Sequence, residues 1–285
     1  MKKILFYISA VISLYSCNTC VADKNINPVS DNYVVILDLS DRLIHNKQQV
    51  DFDTSAISAV LQKFQKSVQR NLVVKSNDKF SIRIIPQSNS KIDINNLQNS
   101  LSIDLSKYNA SQKLKVLNSF KLNFSKGLSN LYSQAYLGNN DTDYPGVDIW
   151  QYFNEQINTD IDSRYNNKIL VLTDGYFDFE DPAHGFRKGN SATITAPLLS
   201  KMRQYNWQLI SDSLKIGLVP VYLNVKSNWV IAGIQPKPQS QDLLEAQKLS
   251  YLWKKWLTQS GQTNISEPII NTNSYKVKSL ILAYF

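Results

Sequence analysis

Tyr33-Val34-Val35-Ile36-Leu37-Asp38-Leu39-Ser40-Asp41-Arg42 is the stretch on which the fold of this chain turns. Its first five residues are apolar and rich in β-branching, the pattern of a strand buried on both faces, and Asp38 closes the run. Such a strand belongs in a sheet covered by helices on both sides. Downstream, residues 53–72 place Ile57, Val60, Leu61, Phe64 and Val68 on one helical face. Phe80 to Ile85 reads as a second strand stopped by Pro86, and Leu101, Ile103 and Leu105 alternate with polar residues as a half-exposed edge strand does.

The remaining pattern repeats this alternation. A long helix is expected over 111–136, with Gly127 as a point of interruption, followed by a turn-rich loop over 139–146 and a shorter helix over 148–158. Lys168 to Thr173 is the clearest strand and ends in Asp174-Gly175. A polar loop over 178–197 leads to a helix over 198–214 and a strand over 218–223, where Pro220 argues for a place near the strand's start or away from the sheet centre. Residues 242–260 predict an amphipathic helix with Leu249, Leu252, Trp253, Trp256 and Leu257 on one face and Gly261 as its stop. A short strand near Ile269 and a helix after Ser274 complete the series. The expected class is α/β: a mostly parallel sheet with helices on both faces.

Composition excludes several kinds of protein. The 285 residues carry 43% hydrophobic and 19% charged side chains, which is neither a disordered tail nor a collagen-like chain. Two cysteines cannot make a disulfide scaffold, and two histidines, His45 and His184, leave little room for a multi-histidine zinc site. There is no phosphate-cradling glycine loop, no Gly-x-Gly-x-x-Gly after a strand and no Gly-x-Ser-x-Gly elbow. The net charge is +8, but Lys63, Lys66, Lys115, Lys121, Lys254 and Lys255 are scattered over several helices rather than gathered with aromatics, so no nucleic-acid partner is expected.

The N-terminus reads as a leader. Lys2 and Lys3 precede an uncharged apolar run from Ile4 to Leu14, too short to span a bilayer. Leu14-Tyr15-Ser16-Cys17 then resembles a bacterial lipoprotein signal. That resemblance implies a signal peptide over 1–16, a lipid on Cys17, a polar tether over 17–32 and a folded body over 33–285. It also implies a lipid-anchored protein of the bacterial cell envelope, and Asn18 after the cysteine is compatible with the outer membrane.

Three carboxylates fall at strand or helix ends: Asp38 after the first strand, Asp148 at the start of a helix after Pro145-Gly146, and Asp174 after the clearest later strand. In an open parallel sheet, ligands bind outside the carboxyl ends of strands, where distant chain segments meet. Carboxylates and hydroxyls gathered there suit a hard cation, Mg2+ first among them. Each also has a local use: Asp148 as a helix cap, Ser40 and Asp41 in a turn, and Asp174 before Gly175 in a tight turn.

With these residues in place, the chain resembles the von Willebrand factor type A domain. The metal-ion-dependent adhesion site of that family is Asp-x-Ser-x-Ser after the first strand, a Thr in a later loop and an Asp after the fourth strand. Asp38 and Ser40 match the first two positions and Asp174 the last; Arg42 stands at the second serine, and Asp148 stands at the Thr position, with Thr142 the alternative. The resemblance, over residues 33–285, implies a Rossmann-like, mostly parallel sheet with one antiparallel edge strand and helices on both faces, and a metal site of Asp38, Ser40, Asp148 and Asp174, holding Mg2+ or else Mn2+ or Ca2+. It also implies binding of an acidic group on a partner protein, rather than catalysis. Arg42 is expected to offset the extra carboxylate by pairing with Asp148, or with Asp41. The alternatives are a phosphatase-like hydrolase with Asp38 as nucleophile, which would want an aspartate where Ser40 stands, and a metal-free scaffold lipoprotein.

Overall fold

A computed structural model describes residues 29–85, 87, 90, 93–179 and 187–285. The leader, Cys17 with its expected lipid, and His184 lie outside the described residues.

Strand β1 (Asp31–Asp38) is buried along its whole length and starts two residues before the expected boundary, so Asp31 and Asn32 belong to the sheet and not to the tether. A single turn, α1 (Arg42–His45), and the long helix α2 (Gln49–Arg70) lead to β2 (Lys79–Ile85), which lies parallel to β1. Helix α3 (Ile94–Ser100) precedes the two-residue strand β3 (Ile103–Asp104), antiparallel to β2 at the sheet edge. Helix α4 (Ala110–Ala135) opens on an Asn109 capping box and runs through Gly127 unbroken. A Cβ at Gly127 would lie 3.1 Å from the Leu101 side chain, so close approach to that residue, not a break, accounts for the glycine.

The expected helix over 148–158 is two pieces, α5 (Ile149–Glu155) and α6 (Ile157–Asp160). Strand β4 (Asn166–Leu172) then returns to the other side of β1, again parallel. The polar loop contains the short strands β5 (Arg187–Lys188) and β6 (Ser191–Ala192). The helix expected over 198–214 is broken between α7 (Ala196–Lys201) and α8 (Trp207–Ser213).

The largest departure lies in the next segment. Only β7 (Gly217–Leu218) of the strand expected over 218–223 forms, and it pairs with β6 in a separate three-stranded sheet. Proline at 220 has no N–H to continue a ladder. The following residues instead cross a helix-covered face, burying Val221 and Leu223, while the indole N–H groups of Trp150 and Trp256 both donate to the Val219 carbonyl at 2.8 Å. The main-sheet strand is β8 (Asn228–Ile234), parallel to β4, a run the sequence reading passed over. Helix α9 (Glu245–Gln259), the short strands β9 (Asn264–Ile265) and β10 (Ile269–Ile270), and α10 (Ser274–Tyr284) close the fold.

The main sheet has the order β10-β8-β4-β1-β2-β3, with β9 also on β8, and every pair but β2–β3 is parallel. Its two outer edges are formed by two-residue strands: β3 on one side, β9 and β10 in series on the other. Side chains of β1 alternate between two cores. Tyr33, Val35 and Leu37 pack with Phe52, Phe64 and Val68 of α2, Phe120 and Phe124 of α4, and Val277 and Ile281 of α10. Val34 and Ile36 face the opposite core with Phe153 of α5 and the Leu249, Leu252, Trp253, Trp256 and Leu257 face of α9. Phe153 sits among Trp229, Trp253 and Trp256 at centroid distances of 5.8, 6.0 and 5.0 Å, so the tryptophans of α9 are core residues. Burying each large apolar side chain contributes about 1.5–3 kcal/mol relative to exposure. The chain is therefore a mixed α/β protein with a mostly parallel, Rossmann-like sheet flanked by helices.

Candidate functional site

Chain order along the sheet reverses at β1, which has β2 on one side and β4 on the other. A crevice opens outside the carboxyl ends of the strands at such a point. Here it is a cleft of about 400 Å³ whose walls include Asp38, Ser40, Asp41, Thr142, Asp174 and Lys237. Asp38 is the last residue of β1, and Thr173-Asp174 follows β4, so the parallel register of Leu37 with Leu172 brings the two strand ends together.

Local hydrogen bonds hold each group. The Ser40 N–H donates to Asp38 Oδ1 at 2.9 Å, and the Thr173 hydroxyl donates to Asp38 Oδ2 at 2.8 Å. Asp174 Oδ1 accepts from the Tyr176 N–H at 3.1 Å, an Asx turn made possible by Gly175 at φ +101. Gln87 joins two loops: its amide N–H donates to the Leu39 carbonyl, and its oxygen accepts from the Gly146 N–H, both at 2.7 Å.

Both strand-end carboxyl groups are out of solvent, Asp38 at 1% and Asp174 at 3% exposure. Burial raises the Asp38 pKa above the ordinary carboxylate value, against the opposing charge of Arg42 and the hydrogen bonds from Thr173 and Ser40. Burial raises Asp174 further, and the negative charges of Asp38 and Asp41 add to the effect. The Ser40 hydroxyl, also buried, makes no well-aligned hydrogen bond, although it lies close enough to the Asp38 carboxyl to favour its ionised form. Two desolvated carboxyl groups that disfavour each other's ionisation, beside a buried hydroxyl oxygen, form an oxygen-rich donor set that lacks a positive counterpart. Asp38, Ser40 and Asp174 therefore fit a hard divalent cation, with Thr142 on the same cleft wall. Among the described residues no group of three or more His, Cys, Asp or Glu side chains is gathered to hold a metal, so a cation here would rely on hydroxyl and water oxygens as well.

Two expected partners are placed elsewhere. Asp148 is not on the wall of this cleft: its Oδ1 accepts from the Gln151 N–H at 2.8 Å, capping α5. A turn at Gly146, whose φ is +97, precedes that cap. Arg42 pairs with neither Asp148 nor Asp41. Its two terminal nitrogens reach Asp53 Oδ1 and Oδ2 at 3.1 and 2.8 Å, and its Nε donates to the Asp38 carbonyl at 2.7 Å. Asp53 also accepts from Gln49 and from the Tyr132 hydroxyl, each at 2.9 Å. The turn of α1 directs Arg42 toward α2, beneath the loop rather than into the cleft. The sequence does hold a sign of this arrangement, since Asp53 falls on the same helical stripe as Ile57, Val60 and Phe64.

Of the rim, Asp41 and Thr142 were legible in the sequence, and Lys237, Asp141 and Asp178 were not. Lys237, just past β8, reaches Asp41 and Asp178 at 3.8 and 3.6 Å and lies 5.1 Å from the Tyr176 ring centroid. Burial alone would depress its pKa, but the carboxylates of Asp178, Asp41 and Asp174 outweigh that and raise it. Opposite, His45 Nε2 contacts Asp141 Oδ1 at 2.8 Å, fixing the 139–146 loop to α1.

No family model matches the chain, and no curated protein matches it. Among solved structures the chain is similar to proximal thread matrix protein 1 from the mussel byssus, with a TM-score of 0.37 and 12% identity. That superposition covers 90% of this chain and 47% of the other, so the present chain spans about half the length of the protein it matches. No helix of the described residues is long and apolar enough to cross a membrane.

Proposed function

We propose that this is a protein-binding domain of the von Willebrand factor A type that uses a divalent cation, Mg2+ in the first instance, to take up an acidic group of a partner. The observation that carries the reading is the buried Ser40 hydroxyl, without a well-aligned hydrogen bond, on one cleft with the buried carboxyl groups of Asp38 and Asp174. A cation held there would supply Lewis acidity toward a carboxylate oxygen, while Asp38, Ser40 and Asp174 hold it and Thr173 orients Asp38. Arg42 belongs to the support of the Asp38 loop and not to the ligand set. The activity is binding, not catalysis.

The test is calorimetry of the full chain with Mg2+ and Mn2+ at millimolar concentration. Binding that is lost in Asp38→Asn, Ser40→Ala and Asp174→Asn is the expected result, and no heat with the unmodified protein overturns the reading. The lipid-anchor reading of Cys17 adds an envelope location to this function, supported by Lys2, Lys3 and the short apolar run before Ser16-Cys17. Cys17→Ser is expected to move the protein from the membrane to the soluble fraction, and unchanged membrane association would overturn that location.

A further inference from the structure

The cleft carries more negative charge than one divalent ion can offset. Among the described residues lining it are five aspartates, Asp38, Asp41, Asp141, Asp174 and Asp178, against one lysine, Lys237. With a divalent ion bound, two negative charges remain in excess. His45 Nε2 approaches Asp41 and Asp141 at 3.9 and 2.8 Å from the α1 side. The rim groups also retain capacity for new partners: Asp141 is 61% exposed, and the contacts of Lys237 at 3.8 and 3.6 Å are longer than a charge-assisted hydrogen bond. The adjoining hollow, which shares Asp178 and Lys237, also holds Arg203, so the side with less fixed positive charge is that of Asp41 and Asp141. The buried Ser40 hydroxyl, without a well-aligned hydrogen bond, is on the same wall and marks the cleft itself as a place for a ligand.

A purely acidic ligand would meet like charge on its way to the metal. Resting on the metal reading above, we infer that the partner presents its metal-seeking carboxylate on a segment with Lys or Arg as immediate neighbours, the bases docking on Asp41 and Asp141. The metal then supplies affinity and the rim supplies selectivity, because like-charge juxtaposition rejects wrong partners more effectively than it strengthens right ones.

Three capped peptides test this on the full chain in Mg2+ by fluorescence anisotropy: Gly-Lys-Asp-Lys-Gly, Gly-Ala-Asp-Ala-Gly and Gly-Glu-Asp-Glu-Gly. The base-flanked peptide is expected to bind about tenfold more tightly than the acid-flanked one, as two partly exposed ion pairs allow. That ratio should shrink toward one in about 1 M salt and in the Asp41→Asn, Asp141→Asn double variant, and should widen in Lys237→Gln. Calorimetry with Mg2+ alone reads the metal site separately. Metal binding with an equal or reversed peptide ranking overturns this inference and leaves the metal reading intact; absence of metal binding overturns both. A base preference that persists in chelator, or in the double variant, also overturns it, because the selectivity would then come from elsewhere.

Discussion

Arg42 and Asp53 form a two-pronged ion pair with both side chains wholly out of solvent, directly below the loop that carries Asp38. The same guanidinium donates to the Asp38 carbonyl, so one residue ties the strand end to α2. Burial opposes a charged Arg42, yet Asp53 and Asp38 beside it keep it firmly protonated.

Removing one partner of such a pair leaves a buried charge alone. Arg42→Ala should therefore destabilise the protein by about 3–5 kcal/mol in urea unfolding. A double-mutant cycle of Arg42→Ala with Asp53→Ala should show a coupling above about 1 kcal/mol, whereas a cycle with Asp148→Ala should show almost none. Strong coupling to Asp148 would contradict the geometry.

The Asp38–Asp174 pair sets an unusual pH dependence for the metal-free protein. Both folded-state pKa values are raised above the unfolded value of about 3.9, so between the two limits the folded state holds more protons. Stability linked to these groups is present at low pH and is lost as pH rises through the raised values. Thermal melts in chelator should show this loss as pH rises from the ordinary carboxylate range to neutrality, and Mg2+ should reverse it at the upper end. A chelated protein equally stable across that range would contradict the prediction.

Asp174→Asn separates stability from binding. It removes a buried charge that Asp38 and Asp41 disfavour, so in chelator at neutral pH the variant should melt higher than the parent, by about 1–3 kcal/mol in stability. The same variant should show no Mg2+ heat in calorimetry.

Asp31 has the opposite sign. Burial alone would raise its pKa, but hydrogen bonds from Lys168, Ser67 and Asn166 and the Lys168 charge outweigh it and hold it below the usual value. Its contribution is present above the unfolded pKa and lost as pH falls toward the depressed one. Lys168→Met should lower stability at neutral pH by about 1–3 kcal/mol and flatten the acid limb of the stability curve. An unchanged acid limb would show that Lys168 is not the dominant partner.

At Gly175 a side chain has nowhere to go. Its φ is +101, and a Cβ would lie 2.7 Å from the Ile234 Cδ1 and 3.3 Å from the Leu249 Cβ. Gly175→Ala should cost about 1–3 kcal/mol and weaken cation binding through displacement of the Asp174 turn, as read by urea unfolding and calorimetry.

Much of the sheet was legible because its strands are buried on both faces. β1, β2 and β4 read as apolar runs, and the carboxyl groups at two of their ends could be located by count along the sequence. The strand β8 was missed for a physical reason: the run at 218–223 looks as apolar as 228–234, and only long-range pairing decides which enters the sheet. With β8 went Lys237, which follows it. Asp148 and Arg42 were misplaced because a helix cap and a ligand look alike in sequence, and because a partner eleven residues away on a buried helix face leaves no short-range motif.

The brevity of the outer strands restricts how this sheet can be extended. Two residues of β3 on one border, and β9 and β10 end to end on the other, offer no long outer strand, and past β3 the border of β2 runs beside α3, whose Gln98 accepts from the Ile84 N–H. A partner adding itself as a further strand would find only two-residue strands to pair with, which disfavours edge-to-edge association of two copies. At high local density, the sheet is thereby guarded against fibre-like stacking, and contacts made by side chains and loops are left as the means of association.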